Sequence, residues 1–164
     1  MRIESGVWTI KRKIHLMVNI SVCDMNIPES ELPGSYIILF KLTKPSKVKI
    51  GKLGVYDFHK GYYTYTGSAM NGLKGRIERH LNSKKKLHWH IDYLLGNPKV
   101  RIEKIYAFPC SIKRECQINQ KLKSKSGNQI LIPGFGSSDC KSNCKSHLLY
   151  WSQNPPHIKI CNLQ

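Results

Sequence analysis

Residues 63–80, YTYTGSAMNGLKGRIERH, confine the chain to few folds, because the backbone period changes within a handful of residues. Tyr63, Thr64, Tyr65 and Thr66 are β-branched or aromatic, types that suit a pleated surface, and they predict a strand. Gly67-Ser68 predicts its end, and Asn71-Gly72 predicts a capped entry into a helix. On that helix Leu73, Ile77 and Leu81 recur four apart and mark a buried stripe, with Arg76, Arg79 and His80 alongside. The unit brings a tyrosine hydroxyl, a helix N-terminus and a guanidinium within reach of one another. A helix N-terminus and an arginine fork both suit phosphate, so this is a candidate phosphodiester site.

The rest of the chain reads as one domain around that unit. Residues 26–33, NIPESELP, are turn-rich and lead into Gly34, which sets a boundary. We therefore expect an extension over 1–33, a domain over 34–151 and a tail over 152–164. Residues 35–42 form a largely apolar central strand, and Val48, Ile50 and Lys52 alternate as a second. Residues 54–61 then connect to the tyrosine strand. Residues 88–95 predict a short helix, and the alternation of Val100, Ile102, Lys104 and Tyr106 predicts a strand to about Phe108. Ser111 is placed to cap a helix over 112–123, and 146–151 read as a last helical turn. The expected class is α+β, a small antiparallel sheet with flanking helices. The apolar run 14–23 is interrupted by His15, Asn19 and Ser21, too polar and short for a leader, and reads as an added strand or a tail. No stretch approaches the ~20 apolar residues of a membrane span.

Charge points to the partner. The 164 residues carry 27 Lys and Arg against 10 Asp and Glu, a formal +17. Such an excess suits an extended polyanion, and nucleic acid is the commonest. Candidate contacts are Lys52, Gly67, Ser68, Lys74 and Arg79, the basic loop of Lys84, Lys85 and Lys86, and His88 and Trp89 as stacking groups. Phosphodiester hydrolysis calls for charge stabilisation at phosphorus and usually a divalent ion, and magnesium needs only one or two carboxylates. Glu4, Asp24, Glu29 and Glu31 precede the core, Glu103 sits on a strand, and Glu78 faces away from the helical stripe. Glu115 differs, since it shares a helical face with Ile118 and Leu122 and needs a metal or an arginine as partner. Asp92 and Asp139 are secondary candidates, for a metal or for fixing His90 and His147.

The six cysteines show no regular framework, so reduced thiols in a cytoplasm are the simpler expectation. Cys140, Cys144 and His147 have spacings that zinc can use, and His88, His90, Cys110 and Cys116 are further donors. With no CxxC pair, zinc is the less favoured metal and a zinc-stabilised interaction protein the third functional reading.

The run Tyr65-Thr66-Gly67-Ser68-Ala69, followed by Arg76 and His80, resembles the second half-motif and helix of the GIY-YIG nuclease superfamily. Gly34-Ser35-Tyr36-Ile37 resembles its first half-motif. His88-Trp89-His90-Ile91-Asp92-Tyr93-Leu94-Leu95 and Gly134-Phe135-Gly136-Ser137-Ser138-Asp139-Cys140 resemble the branch known as domain of unknown function 123. The resemblance spans about 34–150. It implies active-site roles for Tyr36, Tyr65, Arg76, His80 and Glu115. Tyr36 would be the general base, helped by cations among Lys52, Arg76 and His80, Arg76 the phosphate clamp, and Glu115 the ligand of Mg2+ or Mn2+. The family often adds an asparagine, for which Asn128 is the candidate. The branch is sometimes joined to an endonuclease III domain, which tilts the expectation to DNA over RNA and to DNA repair. A binding module of the same fold that does not cut is the alternative.

Overall fold

The computed structural model describes residues 2–4, 7–11, 17–22, 32–155 and 158. Ten strands and three helices follow one another along them. They are β1 (Arg2–Glu4), β2 (Val7–Lys11), β3 (Met17–Val22), β4 (Gly34–Leu42), β5 (Ser46–Ile50), β6 (Gly54–Phe58), β7 (Gly61–Ala69), α1 (Leu73–Leu81), α2 (His90–Leu95), β8 (Val100–Pro109), α3 (Glu115–Lys123), β9 (Asn128–Gln129) and β10 (Leu148–Trp151). The main sheet runs β1-β2-β3-β8-β4-β7-β10-β9. From β8 to β9 it is antiparallel, while β3 joins β8 in parallel and carries β2 and β1 outward. The chain is thus α+β, with an antiparallel sheet and flanking helices. The 26–31 part of the turn-rich boundary lies outside the described residues. Among the described residues no helix is long and apolar enough to cross a membrane.

β4 is buried on both faces, and its alternation divides two cores. Tyr36, Ile38, Phe40 and Leu42 point to one side, where Leu73, Ile77 and Leu81 of α1 and Ile91 and Leu94 of α2 cover them. Ile37 and Leu39 point to the other, against Ile118 and Leu122 of α3. The predicted stripe of α1 is the buried face of that helix.

Several local expectations are corrected. Gly67 and Ser68 do not end the tyrosine strand, because they pair with Tyr36 and Ser35 and β7 continues to Ala69. The residue before α1 is Gly72, at φ 119°, and no side chain caps the helix, so Asn71 does not serve. The second strand stops at Ile50. Lys52 lies in the turn to β6, and β5 and β6 form a separate hairpin where a single strand was expected. α3 begins at Glu115, three residues late for Ser111 to cap. Residues 148–151 form a strand instead of a helical turn, because the outer edge of β7 offers backbone partners and Leu148 and Leu149 feed opposite cores.

Candidate functional site

The two half-motifs meet because β4 and β7 are antiparallel neighbours in one register. Gly34 faces Ala69, Tyr36 faces Gly67, and Ile38 faces Tyr65. Residues 36 and 65 fall on the same face, with ring centroids 6.5 Å apart. Gly67 is required by close approach, since a Cβ there would sit 2.5 Å from the Tyr36 hydroxyl. Gly136, at φ +67°, does the same for Tyr65, whose ring would lie 2.7 Å from an added Cβ. Above the two tyrosines opens a cavity of about 350 Å3. Arg76 enters it from α1, Trp89 from the start of α2, Glu115 from the first turn of α3, and Asp139 and His147 from the loop before β10. Gly67, Ser68 and His88 also line it.

Arg76 is aimed by two contacts. It donates to the Ser68 carbonyl at 3.1 Å, and its guanidinium lies 4.2 Å from the centre of the Trp89 ring. Burial pushes the Tyr36 hydroxyl well above the ordinary phenol value, and the Arg76 cation pulls it only part of the way back. Burial raises Tyr65 too, with Tyr36 and Glu115 adding to the effect. Both phenols are therefore neutral at neutral pH.

His80 does not line the cavity. It lies behind Tyr36, 1 % exposed, with Nε2 2.8 Å from the phenol oxygen. Burial, then the Lys85 ammonium, lower it to about 3 against the pull of Asp92, so the imidazole is neutral. Its Nδ1 has no hydrogen-bond partner, and Asp92 Oδ1 is the nearby carboxylate at 4.0 Å. That charge favours a proton on Nδ1, so we assign Nε2 as acceptor of the Tyr36 O–H.

Asp92 is wholly buried and fully met. Arg79 donates to both its oxygens at 2.9 and 2.8 Å, and the His88 and Trp89 N–H groups donate at 2.9 Å each. Burial raises its pKa, but the Arg79 fork and those N–H groups outweigh it and bring the carboxyl to about 2.

Several expected nucleic-acid groups have partners within the protein. Arg79 pairs with Asp92 and donates to the Lys86 carbonyl. Lys85 turns inward, its side chain 6 % exposed, to donate to the His80 carbonyl at 2.8 Å and approach Asp92 at 3.9 Å. Trp89 carries Arg79 at 4.1 Å as well as Arg76, so its π system is engaged within the protein. Lys84, Lys86 and Lys52 are exposed, Lys74 is half-buried, and none of the four lines the cavity. Asp92 fixes Arg79, not His90, whose Nδ1 accepts from the Gly136 N–H at 3.1 Å. Asn128 donates to the Leu122 and Lys123 carbonyls at the end of α3, which removes it from the site.

Sequence reasoning missed Lys113 on the cavity rim and the placing of Asp92 behind it. Asp92 had one legible signal, its position three residues past His88-Trp89 at a helix start, where a carboxylate collects free N–H groups. Glu115 and Asp139 put two carboxylates on the lining of one cavity, the donor type that a hard divalent ion takes.

A second group of donors adjoins the first. Cys116, Cys140, Cys144 and His147 place one ligand atom each within 4.8 Å of the others. Such a set suits a metal such as zinc. Of the other donors weighed with them, Cys110 bonds the Phe108 and Ile112 carbonyls, and His88 and His90 stand elsewhere on the cavity wall.

No curated protein and no solved structure matches the chain. A family model does, over residues 35–163, described as domain of unknown function DUF123. It takes in β4, β7, α1 to α3 and both donor groups, and the chain belongs to that family.

Proposed function

We propose that the protein is a divalent-metal-dependent phosphodiesterase that cuts nucleic acid, with DNA as the favoured substrate and repair the favoured setting. One observation carries this reading: Tyr36, Tyr65, Arg76 and Glu115 converge on one cavity, with the Tyr36 hydroxyl bonded to a neutral His80 behind it. Arg76, oriented by Ser68 and Trp89, presents its remaining donors to a non-bridging phosphate oxygen. The Tyr36 O–H donates to His80 Nε2, which leaves the lone pairs of its oxygen to accept from the attacking water and orient it as the base-side group. Tyr65 closes the apolar side of the site and limits water access. Glu115, with Asp139, would hold magnesium or manganese, which supplies Lewis acidity at the phosphate when bound. The free thiols beside the cavity fit a reducing compartment such as the cytoplasm.

The test is cleavage of labelled single-stranded, duplex and branched DNA, with RNA alongside, in magnesium or manganese. Arg76→Ala and Glu115→Ala are each expected to slow cutting by roughly 10²–10³-fold, while binding measured in parallel persists in Glu115→Ala. Tight, salt-sensitive binding with no cutting on any substrate would assign the chain to the binding-module alternative, which the formal +17 supports. Cutting that survives Glu115→Ala would move the metal ligand elsewhere.

A further inference from the structure

We propose that Cys116, Cys140, Cys144 and His147 bind one zinc ion in a closed structural site that clasps the 136–147 loop to the first turn of α3. The clasp sets the cavity wall that carries Glu115 and Asp139. It holds whether or not the cavity cuts nucleic acid.

The donor chemistry comes first. Three thiols and one imidazole form a soft set of three sulfurs and one nitrogen, which suits tetrahedral zinc and not the oxygen-seeking ions considered for Glu115. Tetrahedral zinc with ordinary bond lengths separates its ligand atoms by roughly 3.5–3.8 Å. Here Cys116 Sγ stands 3.3 Å from Cys140 Sγ and 3.7 Å from His147 Nε2, and no pair of donors exceeds 4.8 Å. Small side-chain rotations bring the quartet to that geometry.

Surrounding groups orient the donors as metal ligands usually are. Gln120 Nε2 approaches the Cys144 sulfur at 4.0 Å, and the His147 backbone is held by the Phe135 carbonyl and the Thr66 N–H at 2.9 and 3.0 Å. Asn143, at φ 54°, takes the left-handed turn that brings Cys144 back beside Cys140.

The loop also needs a clasp. Phe135 is buried, and so are Ser146 and His147, but no residue from 137 to 145 is. Nine residues without one core side chain cannot offset their ordering entropy by apolar burial. A metal bound to two of them, to His147 and to a helix residue does so directly. Glu115 is the neighbour of Cys116, and Ser138 and Asp139 sit just before Cys140, so both sides of the clasp are cavity wall.

Protein purified without chelator and under reducing conditions is expected to retain close to one zinc per chain. Cobalt added to the zinc-free chain is expected to give the intense visible bands of a tetrahedral thiolate site. Cys140→Ser and Cys144→Ser should weaken those bands, and Cys110→Ser, outside the cluster, should leave them unchanged. Zinc removal should speed amide exchange on the order of tenfold across 137–145 and the first turn of α3, with β4 unaffected. Wild-type chain that takes up neither zinc nor cobalt overturns the proposal without recourse to any variant. So does cobalt whose spectrum ignores Cys140→Ser, or a reduced preparation two daltons light from a Cys116–Cys140 disulfide. Exchange that does not change on zinc removal overturns the role in setting the wall.

Discussion

Two polar clusters flank the cavity, and they meet the cost of burial in opposite ways. On the α1–α2 side Asp92 is ringed by donors the chain itself supplies: the Arg79 fork, two backbone N–H groups and the nearby Lys85. A buried carboxylate with one hydrogen bond on Oδ1, three on Oδ2 and an ammonium 3.9 Å away needs nothing more. On the α3 side Cys116, Cys140, Cys144 and His147 face one another, three sulfurs and one imidazole nitrogen within 4.8 Å. Thiols are weak partners for thiols, and a shared divalent ion would satisfy all four donors at once. The first cluster holds His80 behind Tyr36 in a fixed charge field, and the second holds Glu115. One wall is built from charges the chain supplies, and the other from donors that, on our proposal, converge on an ion.

That contrast is broken most severely at Asp92. Asp92→Ala leaves Arg79 and Lys85 without their carboxylate, and urea unfolding is expected to show a loss of about 3–5 kcal/mol, with zinc content unchanged. On the other side, zinc at a thousandfold excess over its Kd should raise unfolding free energy by about 4 kcal/mol. A chelator should remove that increment from wild type and not from Cys144→Ser.

The pH dependence sharpens the same distinction. His80 falls from an ordinary 6.5 to about 3 on folding. As pH drops through that window the unfolded chain takes up a proton that the folded chain refuses, so stability is full above 6.5 and declines with acid. Asp92 adds a decline of the same sign between 3.8 and about 2. Burial lowers His90 and His147 from 6.5 as well, so His80→Gln is expected to shrink the higher of these windows in thermal melts recorded across it, leaving the lower one. The smallest effect is expected at Gly67→Ala, about 1–3 kcal/mol for forcing a Cβ against the Tyr36 hydroxyl. Its companion readout is loss of the Tyr36–His80 contact, visible as a shift of the His80 ring resonances.

The α+β class, β4, the tyrosine strand and the stripe of α1 were legible because each depends on local period and residue type. Leu73, Ile77 and Leu81 cannot be arranged on a helix without sharing a face, and residues 36–42 are too apolar for anything but a buried strand. Tyr36, Tyr65, Arg76 and Glu115 could be nominated together from residue type and motif. Their common cavity depends on the β4–β7 register, which pairs residues about thirty positions apart.

Tertiary structure alone decided the remainder. Gly67 reads locally as a strand end, yet it is a strand residue whose missing side chain makes room for Tyr36. Arg79 and Lys85 belong by composition to a basic surface, but a buried carboxylate draws both inward because an unmet charge there costs more than an unused surface cation. Cys116 stands 24 residues from Cys140 with no spacing rule to link them, and only the packing of α3 beside the 136–147 loop makes them one cluster. Sequence by itself determined which segments are strands and helices, since that is a matter of neighbours along the chain. Which charges are spent inside, and which donors converge, followed from neighbours across it.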